Sequence, residues 1–73
     1  MEGDLQLTVG ANLRRIRQGM GQSQERFAET LGVHRTYLGG LERGERNLTL
    51  KSVEKLAEQL SIDPVTLMTP LSD

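Results

Sequence analysis

Seven arginines fall between Asn12 and Arg46 (Arg14, Arg15, Arg17, Arg26, Arg35, Arg43 and Arg46), against four acids, Glu25, Glu29, Glu42 and Glu45. This local balance of +3 lies inside a chain of formal net charge −1, so the flanks carry the excess acid. Clustered arginines neutralise phosphates, and what counts is the charge at the contact face rather than the chain total. Arg35 is followed by Thr36. A guanidinium can make paired hydrogen bonds to the O6/N7 edge of guanine, and a threonine methyl can touch the methyl of thymine. Arg43, Arg46 and Asn47 follow in a short polar stretch, where side chains can grip phosphates and fix register without reading bases; each is equally an ordinary solvated loop residue. Other chemistries lack their parts. A single histidine, His34, and no cysteine leave neither a metal cluster nor a thiolate. No glycine-rich phosphate loop or enclosed pair of acids marks a catalyst. The composition points to a binding protein rather than an enzyme, with no cofactor.

The elements that must position Arg35 and Thr36 lie in Gln24 to Gly44, which reads as two short helices joined by a tight turn. Phe27, Ala28 and Leu31 recur at the steps that share one helix face, and Leu38 and Leu41 do the same after the turn. Between them Gly32 supplies a left-handed helix end, Val33 an apolar corner and His34 an N-cap. Ala28 is small where two helices must cross closely. The pattern is a helix-turn-helix over residues 24–43. In such a motif the first residues of the second helix enter the major groove, so Arg35 and Thr36 fall at the base-reading positions.

Residues 1–7 show no clear periodicity and are expected to form a loosely ordered lead-in. Thr8 is positioned to cap a first helix whose apolar face is Val9, Leu13, Ile16 and Met20, with Gly10 weakening its first turn. Ser23 caps the second helix, although Arg26 stands where a capping box would place Glu or Gln. Thr49 caps a fourth helix with an apolar stripe of Leu50, Val53, Leu56, Ala57 and Leu60. Asp63-Pro64 opens a short fifth helix containing Val65, Leu67 and Met68, and Pro70 ends it. The predicted fold is all-α, a compact five-helix domain spanning 8–71. No apolar run approaches the roughly 20 residues that cross a bilayer, and the expected compartment is the cytoplasm.

Arg17, Ser23-Gln24-Glu25, Ala28, Leu31-Gly32-Val33, Tyr37-Leu38, Leu41-Glu42-Arg43-Gly44 and Leu48-Thr49-Leu50 stand together in register. On these residues the chain resembles the Cro/repressor-type (XRE-like) helix-turn-helix family from Val9 to Met68. The run RGERNLTL from Arg43 to Leu50 is also similar to the small stand-alone control proteins of restriction-modification systems. The resemblance implies that Arg17 pairs with Glu42 in a buried or half-buried bridge, and that Gln24, at a helix N-terminus, donates to a DNA phosphate with help from the helix dipole. It also implies pairing of two subunits.

Several positions leave alternatives open. Tyr37 can hydrogen-bond a phosphate through its hydroxyl or pack its ring against the second helix. His34 is a cap, with or without a DNA contact. Gly39-Gly40 departs from the family pattern, which often has a serine and then a longer side chain there. The glycine pair either lets the helix approach the DNA closely or is a tolerated defect that leaves specificity to Arg35, Thr36 and DNA shape. Leu60, Ile62, Val65, Leu67, Met68 and Leu71 supply either a two-fold interface or the closure of the monomer core. The expectation is a sequence-specific regulator that binds double-stranded DNA as a homodimer on a palindromic operator. The rival from another class is an antitoxin or other protein-interaction module built on the same fold.

Overall fold

The computed structural model describes residues 4–70. Five helices follow one another among them: α1 (Asp4–Gly19), α2 (Gln24–Leu31), α3 (Arg35–Glu42), α4 (Leu50–Leu60) and α5 (Pro64–Met68). α1 lies against α3 and α5, and α2 lies against α3 and α4. Val9, Leu13, Phe27, Leu38, Val53 and Leu67 have no exposed surface, so one apolar core draws on all five helices. None of the helices is long and apolar enough to cross a membrane.

Local chemistry sets most boundaries. The Ser23 hydroxyl accepts from the Arg26 N–H at 3.1 Å, Thr49 Oγ1 from Ser52 N–H at 3.1 Å, and Asp63 Oδ1 from Val65 N–H at 2.9 Å. These bonds satisfy first-turn donors that have no intrahelical partner. At the other ends, α2 and α3 close with a left-handed residue, Gly32 and Gly44, both at φ 73°. After α3, the Glu45 N–H reaches the Gly40 carbonyl and the Gly44 N–H reaches that of Leu41, the paired bonds of a Schellman turn. α4 ends the same way on Ser61, at φ 56° without glycine's freedom.

Several expectations require correction. α1 begins at Asp4, so Thr8 lies inside the helix and not at its cap. The residues read as a lead-in are helical from Asp4 onward, and Met1 to Gly3 lie outside the described residues. The extra turn has a tertiary support that no cap signal reports: Leu7 lies over Gly44, where an added Cβ would come within 2.6 Å of Leu7 Cδ2. Met20 falls beyond the end of α1 and Leu50 at the start of α4, and both are exposed. Leu67, assigned to a subunit interface, is fully buried in the core. Gly10 is no mere weakness of α1. It is buried where α1 crosses the last turn of α3, and a Cβ there would collide with the Leu41 carbonyl oxygen.

Candidate nucleic-acid interface

The helix-turn-helix is anchored by a polar knot. Arg17 Nε donates to Glu42 Oε2 at 2.7 Å and Arg17 Nη2 to Glu42 Oε1 at 3.1 Å, while Nη1 donates to the Gln22 carbonyl at 3.2 Å. Gln24 Nε2 also donates to Glu42 Oε1, at 3.0 Å. The two ionic side chains keep 15% and 4% of their surface exposed. A forked arginine–carboxylate pair has fixed geometry, and here it joins the end of α1, the start of α2 and the end of α3. This knot and the close crossing at Gly10 together hold α3 against α1.

α3 presents the candidate reading residues. His34 caps it, with Nδ1 accepting from the Thr36 N–H at 3.1 Å, which leaves the ring proton of a neutral imidazole on Nε2. Arg35 and Thr36 follow in the first turn and are exposed, whereas Leu38 and Leu41 are buried beneath them. Tyr37 is half-buried, and its ring packs against the apolar core.

Beyond α3 the polar connection folds back over the helix. Arg43 Nε pairs with Glu45 Oε1 at 3.1 Å, with both side chains 60% exposed. The Arg46 guanidinium carbon lies 5.3 Å from the centre of the Tyr37 ring, within the range of a cation–π contact. Both glycines of the Gly39-Gly40 pair are buried, and these arginines are what cover them. A Cβ on Gly39 would stand 3.2 Å from Arg43 Nη1; one on Gly40 would stand 2.7 Å from Arg46 Nε and 3.2 Å from its Cγ. Neither alternative read from the sequence included this packing. The glycines accommodate arginine side chains of the same subunit.

Asn47 is exposed, as are Arg43 and Arg46. Arg35, Thr36, Tyr37, Arg43 and Arg46 therefore lie on α3 and the turn that follows it, while Gln24 is held to the same unit through Glu42. The residues assigned to a subunit interface are not one exposed patch. Leu60, Ile62 and Met68 are partly buried against the core from outside, Leu67 is inside it, and Val65 is 59% exposed. Leu71 lies outside the described residues.

Sequence reasoning missed Asn12, which is 1% exposed. Its Nδ2 donates to the carbonyls of Leu67 at 2.8 Å, Thr69 at 3.0 Å and Thr66 at 3.3 Å. A signal was present: Asn12 stands three residues after Val9 and four before Ile16, on the spacing of the apolar face.

Residues 13–67 match the model of the helix-turn-helix family HTH_3. The chain belongs to this helix-turn-helix family. The control protein C.BamHI of Bacillus amyloliquefaciens is 36% identical over 69 residues, covering 93% of this chain and 85% of its own. The restriction-modification controller protein C.AhdI of Aeromonas hydrophila superposes with a TM-score of 0.71 at 44% identity, over 85% of this chain and 90% of that one. A hypothetical transcription factor of Neisseria, NHTF, superposes with a TM-score of 0.81 at 36% identity, over 96% and 80%. The chain is a helix-turn-helix transcriptional regulator, similar over nearly its whole length to restriction-modification controllers.

Proposed function

We propose that this regulator binds a palindromic DNA operator as a homodimer and acts as a controller of the restriction-modification type. The observation that carries the reading is the exposed first turn of α3, with Arg35 and Thr36, on a helix fixed by the Arg17–Glu42–Gln24 knot. In this reading α3 enters the major groove. Arg35 makes the bidentate contact to guanine and Thr36 packs on a thymine methyl. Arg43, Arg46 and Asn47 hold phosphates beside the groove, joined by the Tyr37 hydroxyl. Gln24 fits a phosphate contact because a side-chain amide has two N–H groups. One serves Glu42, and the second remains for an anion at the start of α2, where the helix dipole favours negative charge.

The two-fold contact in this reading uses Val65 with the outer edges of Leu60, Ile62 and Met68. Leu67 is excluded by its burial. A two-fold pair would set the two α3 helices about one DNA turn apart.

Selection from random duplex DNA, followed by a salt titration on the winning sequence, tests the proposal. The expected result is a palindrome with half-sites about 10 base pairs apart and affinity that falls steeply with salt. Enrichment of no sequence, with only weak salt-sensitive binding, would overturn it in favour of a protein-interaction role.

A further inference from the structure

We propose that Gly40 is a positioning residue for DNA recognition: the bare helix surface there seats the Arg46 side chain and fixes where its guanidinium is presented. The consequence for DNA rests on the reading above; the geometry does not. A Cβ on Gly40 would lie 2.7, 3.2 and 3.4 Å from Nε, Cγ and Cδ of Arg46, so the stem of the arginine, and not only its tip, occupies the place of a side chain. The guanidinium then reaches Tyr37, 5.3 Å from the ring centre. Tyr37 precedes Gly40 by three residues and so shares its helix face.

The ring of Tyr37 is itself held by packing against the core. The arginine is thus laid along a fixed surface with its stem on the glycine and its head on the ring, while remaining exposed. A free arginine side chain has many rotamers to lose when it contacts a ligand, and one already laid out loses fewer. Glycine is a poor helix former in mid-helix. Its presence here is explained by what alanine would displace. The neighbouring glycine provides an internal control, because a Cβ on Gly39 meets only the flexible tip of Arg43, at 3.2 Å.

The test uses the full chain with Gly40→Ala, Gly39→Ala, Arg46→Ala and the Gly40→Ala/Arg46→Ala double variant. Three readouts are needed: thermal melting, the NMR shift of the Arg46 Cδ protons, and affinity for the selected operator duplex. A proton above the Tyr37 ring is shifted upfield, and Tyr37 is the only tyrosine. Gly40→Ala is expected to melt no lower than the wild type, since alanine favours the helix. It should nonetheless lose the upfield shift and bind operator about tenfold more weakly, as Arg46→Ala does, with the double variant no weaker than either single one. Gly39→Ala should keep both the shift and the affinity.

A Gly40→Ala protein that retains the shift and the affinity would overturn the proposal. So would losses in the two single variants that multiply in the double, since Gly40 would then act independently of Arg46. A wild-type protein that enriches no DNA would overturn the DNA-binding reading and with it the recognition role of Gly40, whereas the Arg46 shift would still report the seat itself.

Discussion

Glu42 and Arg43 are adjacent in sequence, yet each belongs to an arginine–glutamate pair of opposite character. Glu42 and Arg17 meet in a fork at 2.7 and 3.1 Å, nearly closed off from solvent and joined by Gln24. Arg43 and Glu45 meet through one contact of 3.1 Å with most of both side chains in water. Within one residue the chain passes from a pair that organises the fold to a pair that water can replace. Burial decides which is which. A desolvated partner cannot be removed without leaving a stranded charge, and an exposed one is simply rehydrated.

The contrast is open to direct attack. Glu42→Ala should lower the unfolding free energy by about 3–5 kcal/mol, a large part of the total for a small domain. Urea unfolding measures this, and a loss below about 1 kcal/mol would erase the distinction between the pairs. Next in size comes Arg35→Ala on the exposed side of the same unit. It should leave unfolding unchanged but weaken operator binding by about 1–3 kcal/mol and relax one base position in each half-site. A selection that returned the original base preference would remove Arg35 from the reading set.

Smaller effects follow on the exposed pair. Arg43→Ala should weaken all DNA sequences alike and reduce the slope of log affinity against log salt by about one unit; altered base preference would mean that Arg43 reads sequence. Least of all, Glu45→Gln should change stability by no more than about 0.5 kcal/mol. A substantially larger change in its melting curve would show that the exposed pair is structural after all.

What the sequence disclosed, and what it withheld, follows from the range of the interactions. The caps at Ser23, His34, Thr49 and Asp63, and the left-handed glycines at 32 and 44, act within four or five residues, and each could be named from local chemistry. The Arg17–Glu42 contact spans 25 residues and was reached only through resemblance to a family. Where an element depended on a distant neighbour with no such precedent, the reading failed. The first turn of α1 is supported by Leu7 against Gly44, and Gly10 is required by the crossing with α3 rather than by its own helix. Leu67 looked like surplus apolar surface because α5 gives no sign of which side it turns inward, and the structure buries it. The arrangement of Arg46 over Gly40 and Tyr37 depends on the path of the turn after α3, which no residue-by-residue propensity encodes.

Asn12 carries a consequence for how the molecule comes into being. Its Nδ2 donates to carbonyls that lie 54 to 57 positions later in the chain, and a buried donor without partners is costly. Contacts of such long sequence separation are slow to close. During synthesis the ribosome delivers α1 before the Thr66–Thr69 carbonyls, so the face of α1 that receives α5 stays incomplete until α5 has emerged. Of the five described helices, the one made first is among the last to be finished.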